Sequence, residues 1–218
     1  MPDERLEPMG DFFSRRVAGY DEHMLRDIEG SKEFYPYTAS LLPPGGSILD
    51  LGCGTGLELD HYFAAGGGAA ITGIDLSEAM LAALRKKHPD REMTLIRGSY
   101  FDIDLGGGAF DAAVSVESLH HFTYDEKLPL YSRLRAALKR GGYFILTDYF
   151  CGTEELQAYF RSEYERLKRG QGLDENAFFH YDTPLTVENE IRCLTEAGFS
   201  SVCVLRAWEN TKTIKATA

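Results

Sequence analysis

The sequence predicts an open α/β sheet of seven strands, doubly wound and mostly parallel, that ends in a C-terminal antiparallel hairpin. Two observations carry this reading. From Ser47 onward, short runs of strand formers alternate with stretches whose apolar residues recur at helical spacing, which is the pattern of strand–helix crossovers. One of the runs, Phe110 to Val116 (FDAAVSV), is nearly all apolar, as a central parallel strand covered on both faces must be. With 218 residues, 44% of them hydrophobic, the chain is long enough for one well-buried core and short for two, so a single domain covering 1–218 is expected.

The elements follow in order. Phe13, Val17, Tyr20 and Met24 share a helical face behind Asp11, read as the N-cap. A second apolar stretch, Phe34 to Leu42, stops at Pro43-Pro44-Gly45-Gly46, so residues 1–46 are expected to form a helical cap. Residues 47–149 then form the core. Its strands are Ser47 to Leu51 (SILDL), Ala70 to Ile74 (AITGI), Met93 to Ile96, Phe110 to Val116 and Tyr143 to Tyr149 (YFILTDY). Helices between them are marked by Leu59, Tyr62 and Phe63, by Leu76, Met80 and Leu84, and by Leu128, Tyr131, Leu134 and Leu138 after Asp125. Alternation breaks at 150–184, a helical insertion. Thr153 caps a helix that carries Glu154 and Glu155 in its first turn and Lys168 and Arg169 in its last, charges that oppose both ends of the helix dipole. Its stripe of Leu156, Phe160, Tyr164 and Leu167 is read as core packing, and Gln171 to Asp182 as a loop. Residues 185–218 supply a last helix from Thr186 to Gly198, then Ser201 to Ala207 and Lys212 to Ala216 as the hairpin.

Composition excludes several classes. No apolar run approaches the roughly 20 residues that span a bilayer, and Met1 to Gly10 lacks the apolar core of a signal peptide, so no membrane partner and a cytoplasmic location are expected. Cys53, Cys151, Cys193 and Cys203 have no C-x-x-C spacing, which argues against zinc and disulfides alike. A net charge of −11 repels a polyanion, making nucleic acid an unfavourable substrate. Nothing in the pattern fixes the oligomeric state.

The first strand runs into Gly52, Gly54 and Gly56. In a parallel sheet the ligand crevice lies beyond the carboxyl ends of the strands, and a turn without Cβ atoms lets a ligand reach the backbone. Asp75 stands at the next strand end, where a carboxylate can accept both hydroxyls of a ribose. A nicotinamide dinucleotide requires G-x-G-x-x-G, but the spacing here is G-x-G-x-G, and Asp50, Glu58 and Asp60 surround it. Carboxylates would repel a pyrophosphate. They suit a nucleoside that carries an ammonium and a sulfonium.

At D-L-G-C-G-T-G, Asp50 to Gly56, the sequence resembles the class I S-adenosylmethionine-dependent methyltransferases, with their Rossmann-like fold, over roughly residues 10 to 150 and the closing hairpin. That resemblance implies the cofactor S-adenosyl-L-methionine. It would place Asp50, Gly52, Cys53, Gly54 and Gly56 around the methionine moiety, Asp75 on the ribose, and Leu76 and Met80 against adenine. Family members often carry an acid after the third strand for the adenine amino group. Ser99 stands there in this sequence, leaving its hydroxyl, the Tyr100 backbone or Asp102 to make the contact. The same resemblance lets Tyr20, in an N-terminal helix closing over the cofactor, approach its carboxylate; alternatively Tyr20 is one more member of the apolar stripe.

Methyl transfer is an in-line displacement at an activated carbon, so alignment supplies much of the rate and a base is needed only for an acceptor that is protonated. Glu117, His120 and His121 follow the fourth strand, and His121 is the leading candidate base; otherwise the two histidines shape the pocket. With no further ligand evident, no metal is expected at Glu117-x-x-His120-His121. The Asn/Asp-Pro-Pro-Tyr element of many amino-methylating enzymes is absent, which disfavours adenine and protein amides as acceptors. The expected partner is a small molecule, methylated at oxygen or nitrogen and recognised by the insertion, whose Tyr159, Phe178, Phe179, His180 and Tyr181 join Tyr149 in offering aromatic walls. The rivals are a non-catalytic S-adenosylmethionine-binding regulatory module and, disfavoured by glycine spacing, an NAD(P)-dependent oxidoreductase.

Overall fold

In the computed structural model, which describes residues 5–174 and 177–218, seven strands form one sheet in the order β3-β2-β1-β4-β5-β7-β6. Residues 1–4, and 175–176 of the expected loop, lie outside the described residues. The chain runs α1 (Met9–Asp27), α2 (Ser31–Ser40), β1 (Ser47–Leu51), α3 (Leu57–Ala64), β2 (Ala70–Asp75), α4 (Glu78–Lys87), β3 (Met93–Arg97) and β4 (Phe110–Val116). After a 3-10 turn at Leu119–His121 come α5 (Tyr124–Ala137), β5 (Leu138–Tyr149), α6 (Glu154–Gly170), α7 (Val187–Glu196), β6 (Ser201–Trp208) and β7 (Thr211–Thr217). Strands β1 to β5 pair in parallel, while β7 inserts antiparallel between β5 and β6. Strand order reverses between β1 and β4, and their carboxyl ends open the crevice in which such sheets bind ligands.

The sheet separates two apolar layers. Leu130, Tyr131 and Leu134 of α5 and Leu194 of α7 pack on one face with Phe144 and Ile214; Phe34 of α2, with Leu59 and Tyr62 of α3, packs on the other with Ile48 and Ile145. Ala112, Ala113 and Val114 of β4 are fully buried, as a strand covered on both faces requires.

Several local expectations shift. Helix α1 starts at Met9 with Pro8 in the cap position, so Asp11 lies within its first turn, where its charge still favours the helix N-terminus. Leu138 leaves the α5 face and opens β5, which begins five residues earlier than expected because Phe110 pairs with Leu138 before a bulge. Helix α6 has the expected N-cap, with Thr153 Oγ1 accepting from Leu156 N at 3.2 Å, yet only Tyr164 and Leu167 of its stripe are buried and Leu156 is 46% exposed. Its first half is held by polar contacts instead, with Gln157 Oε1 accepting from Thr186 N at 2.8 Å and from Asn189 Nδ2 at 2.9 Å.

Candidate functional site

Backbone geometry explains the glycines at the end of β1. Gly52 and Gly54 have φ of +73° and +48°, which L side chains rarely adopt. A Cβ on Gly52 would also lie 2.0 Å from Ser118 Oγ, so the turn and the segment after β4 approach each other only because that atom is missing. Asp75 holds the turn from the next strand: its Oδ2 accepts from Gly54 N at 3.0 Å and its Oδ1 from Ser77 N at 2.7 Å. The predicted ribose acid therefore also fixes the loop, and each oxygen retains a lone pair for a ligand.

Two cavities meet above this turn. The first is lined by Gly52, Gly54, Asp75, Leu76, Met80 and Tyr100 from the sheet side, by Met9, Phe13 and Tyr20 from α1, and by Glu117, Ser118 and His121 after β4. The second, with a volume of about 560 Å³, lies between α1 and the segment ending at Asp182; its wall includes Phe12, Arg16, His23, His120, His180 and Asp182. Phe13, Tyr20, Glu117 and His121 line both. Helix α1 is tied over the crevice by Thr55 Oγ1 donating to Asp21 and by Ser14 and Ser77 hydroxyls 2.8 Å apart. Behind it, Met9 N donates to Phe178 O and His180 N to Glu7 O, joining the chain start to the second cavity's far wall.

Not every expected cofactor residue reaches the first cavity. Cys53, Gly56 and Glu58 line a small adjoining recess with Tyr35 and Thr55, and Asp50 lies buried beneath the turn. Ser99 does not line it: its hydroxyl accepts from Phe101 N at 3.1 Å, closing a local turn, while the neighbouring Tyr100 takes the wall position with its hydroxyl 3.2 Å from Ser118 Oγ. Among the described residues no hydrogen-bond donor reaches Asp50 Oδ2 or Glu58 Oε1; the two carboxyls are buried against each other, and burial raises both above their ordinary range. Orphaned carboxyl oxygens under an exposed-backbone turn fit the ammonium end of S-adenosylmethionine, and the free lone pairs of Asp75 fit its ribose.

The histidines stand at the junction. Burial favours a neutral His120, but the Asp148 carboxylate, 2.6 Å from its Nδ1, raises it to about 9, so it is a cation at neutral pH. Asp148 Oδ2 also accepts from Leu119 N at 2.9 Å, which sets the 3-10 turn on the end of β5. His121 is the opposite case: burial and the charge of His120 lower it and keep it neutral. Its Nδ1 faces two acceptors, Asp182 Oδ1 at 3.0 Å and the Tyr181 carbonyl at 3.3 Å, so the proton sits on Nδ1 and Nε2 is left as a proton acceptor. Glu117, at φ +50°, is pushed up to about 7 by burial despite nearby His120, and accepts from Thr211 Oγ1 at 3.0 Å. A strained non-glycine conformation at this place belongs with a site held for function.

Asp148, Asp182, Ser118 and Met9 were missed by sequence reasoning. A lone acid inside the apolar YFILTDY strand was a signal for Asp148; nothing local marked Asp182. Of the aromatics expected on the acceptor side, only His180 lines the second cavity, stacked on Phe12 with centroids 3.4 Å apart. Phe179 packs with Tyr164 and Leu167 in a separate cluster, Phe178 stacks on Phe101, and Tyr159 is 54% exposed.

A doubly wound sheet whose first strand ends in a glycine turn, held by an acid at the end of the next strand, has the architecture of nucleoside-binding α/β proteins. Residues 48–142 match the sequence pattern of a family described as a methyltransferase domain. The chain is 30% identical to a carboxy-S-adenosyl-L-methionine synthase of Wolinella succinogenes, over 91% of this chain and 89% of the relative. Over a shorter stretch, 36% of this chain and 31% of the relative, it is 43% identical to a dTDP-3-amino-3,4,6-trideoxy-alpha-D-glucopyranose N,N-dimethyltransferase of Streptomyces venezuelae. The solved complex of DhpI with S-adenosylhomocysteine shares its fold, with a TM-score of 0.71 at 17% identity over 94% of this chain and 93% of that one. The chain belongs to the class I S-adenosylmethionine-dependent methyltransferases. None of its described helices is long and apolar enough to cross a membrane.

Proposed function

We propose that the protein transfers the methyl group of S-adenosylmethionine to a small-molecule acceptor, at oxygen or nitrogen, seated in the cavity between α1 and Asp182. One observation carries this reading: Phe13, Tyr20, Glu117 and His121 line both the cofactor cavity and the second one, so donor and acceptor meet at a wall that contains a neutral, oriented histidine. A volume of about 560 Å³ suits a small ligand rather than a polymer. Bound over the glycine turn, the cofactor supplies a methyl carbon already activated by its sulfonium. The protein's own residues do the rest: Asp75 and the glycines hold the nucleoside, Phe13 and Tyr20 close the junction against water, and His121 Nε2 accepts the acceptor's proton while Asp182 keeps the ring oriented.

The relatives support both acceptor atoms, with an N,N-dimethyltransferase of an amino sugar and a fatty-acid O-methyltransferase among them. The test is incubation of the purified protein with methyl-labelled S-adenosylmethionine and a panel of small amines and alcohols. Label in a small product with stoichiometric S-adenosylhomocysteine is expected. Label recovered only in added protein or nucleic acid would refute the small-molecule acceptor.

A further inference from the structure

The second cavity has a charge character that bears on which atom is methylated. Its wall combines the aromatic faces of Phe12, Phe13 and Tyr20 with the carboxyl groups of Glu117 and Asp182. The cationic neighbours are already engaged. His120, held by Asp148 at 2.6 Å, also stands 3.6 Å from Asp182 Oδ1 and 4.0 Å from Glu117, so its single positive charge is shared among three carboxyl groups. Arg15 and Arg16 reach Glu7, and Arg16 also lies over the Phe12 ring at 3.5 Å. His23 pairs with Asp27, and His180 is held neutral by burial, lowered to about 4. What remains facing the cavity is Glu117, with one hydroxyl donor from Thr211, and a half-exposed Asp182 whose hydrogen-bonded ring is neutral.

We infer that the acceptor is a small amine, which enters as an ammonium held between Glu117, Asp182 and the rings of Phe13 and Tyr20, and which is methylated on nitrogen. The inference rests on the methyl-transfer reading above. Three physical arguments favour it. Phenols, carboxylic acids and thiols react as anions, and an anion formed between two carboxylates is opposed by both. Burial pushes Glu117 up to about 7, and an ammonium beside it favours the ionised carboxylate, whereas a neutral alcohol brings no charge to do so. Aromatic faces with nearby acids recognise ammonium groups through the ring quadrupole. Glu117 lines both cavities, so the same carboxylate offsets the repulsion between an entering ammonium and the sulfonium.

The chemistry balances without any further reactant. The ammonium gives one proton to His121 Nε2, turning the ring into an imidazolium whose Nδ1–H remains on Asp182. The freed nitrogen lone pair forms the new N–C bond to the methyl carbon, and the C–S bonding pair returns to sulfur as a neutral thioether. The product leaves as the methylated ammonium, and His121 releases its proton to water.

The test uses binding so that it does not depend on finding the natural acceptor. With S-adenosylhomocysteine present, benzyltrimethylammonium, which cannot be methylated, and benzyl alcohol are titrated calorimetrically into wild type, Glu117→Gln and Asp182→Asn. Expected is ammonium binding at least about 10-fold tighter than the alcohol, falling about 10-fold in each variant, while S-adenosylhomocysteine affinity holds in Asp182→Asn, whose residue lies outside the cofactor cavity; Asp182→Asn, at a half-exposed position, also serves should Glu117→Gln fail to fold. Equal or tighter binding of the alcohol overturns the inference, as does ammonium binding that ignores both substitutions. So does tight Mn²⁺ or Zn²⁺ binding that displaces the ammonium and is lost in Asp182→Asn, because His120, His121 and Asp182 also stand close enough to share a metal ion. Methyl transfer to alcohols but not amines would sink the amine while leaving the methyl-transfer reading intact; absence of transfer to any small molecule would remove both.

Discussion

The cofactor side and the acceptor side of the crevice are built in different ways. On the cofactor side the working groups are close in sequence: Gly52, Gly54 and Asp75 come from two adjacent strands, and Asp75 holds the turn by a direct bond to Gly54 N. On the proposed acceptor side, Glu117 and His121 follow β4, Asp148 ends β5, and Asp182 arrives after α6, so the constellation exists only once three distant segments have docked. A compact loop whose shape is dictated by missing Cβ atoms has few alternatives. A constellation of side chains from separate segments can be rearranged to suit a new acceptor without disturbing the cofactor.

The difference is broken most directly at His121, one of the four residues both cavities share. His121→Asn removes the Nε2 proton acceptor and should lower kcat by about 10²- to 10⁴-fold, the usual contribution of a general base. The affinity for S-adenosylhomocysteine, measured calorimetrically, should fall far less, because the glycine turn and Asp75 on β1 and β2 are left untouched. Equal losses in affinity and turnover would show that the two sides are one coupled unit.

Asp148 tests the acceptor side through stability. His120 rises from 6.5 to about 9 on folding, chiefly because Asp148 overcomes the effect of burial. A histidine raised in the folded state contributes stability fully below its unfolded value, near pH 6.5, and loses it as pH climbs through about 9. Asp148→Asn should therefore destabilise the protein by about 3–5 kcal/mol, the usual cost of breaking a buried ion pair, at pH 6 in urea unfolding, with the deficit shrinking towards pH 10. A deficit independent of pH would assign the loss to the Leu119 N contact instead.

These two sides were unequally legible in the sequence, for a physical reason. The strand order's parallel half, the glycine turn and Asp75 are set by local rules: period, steric freedom and the end of a strand. Ser99 is one of three candidates for the adenine contact because of its place after β3; its hydroxyl accepts from the backbone N–H two residues on and so closes a local turn. Asp182 lies 61 positions beyond His121, and only packing brings its oxygen to 3.0 Å from the ring. Spacing carries no trace of that contact.

On the cofactor side the corresponding test is Asp75→Ala. Wild type should gain about 2.7 kcal/mol from S-adenosylhomocysteine at 100 times its dissociation constant. At that same ligand concentration Asp75→Ala should lose most of the gain in thermal unfolding, because the ribose contact and the support of Gly54 disappear together. If the shift survives, the ribose is held elsewhere. Loss of the shift with unchanged amine methylation at saturating cofactor would sharpen the contrast, showing that the loop sets affinity while the distant constellation sets chemistry.

The smallest expected effect lies on α6, where the sequence pattern and the fold part company. Leu156, Phe160, Tyr164 and Leu167 fall on one helical face, and such a stripe normally marks core. The apolar contacts of the helix, however, come from its second half, where Tyr164 and Leu167 pack with Leu6 and Phe179, while its first half is held by polar contacts such as Gln157 Oε1 accepting from Thr186 N and Asn189 Nδ2. Leu156, 46% exposed, has little apolar area left to lose. Leu156→Ser should change unfolding free energy by less than about 0.5 kcal/mol, the range for surface substitutions, and leave turnover untouched. A larger loss would mean that the first half of α6 is covered in solution, and the acceptor side would then extend beyond the cavity that Asp182 closes.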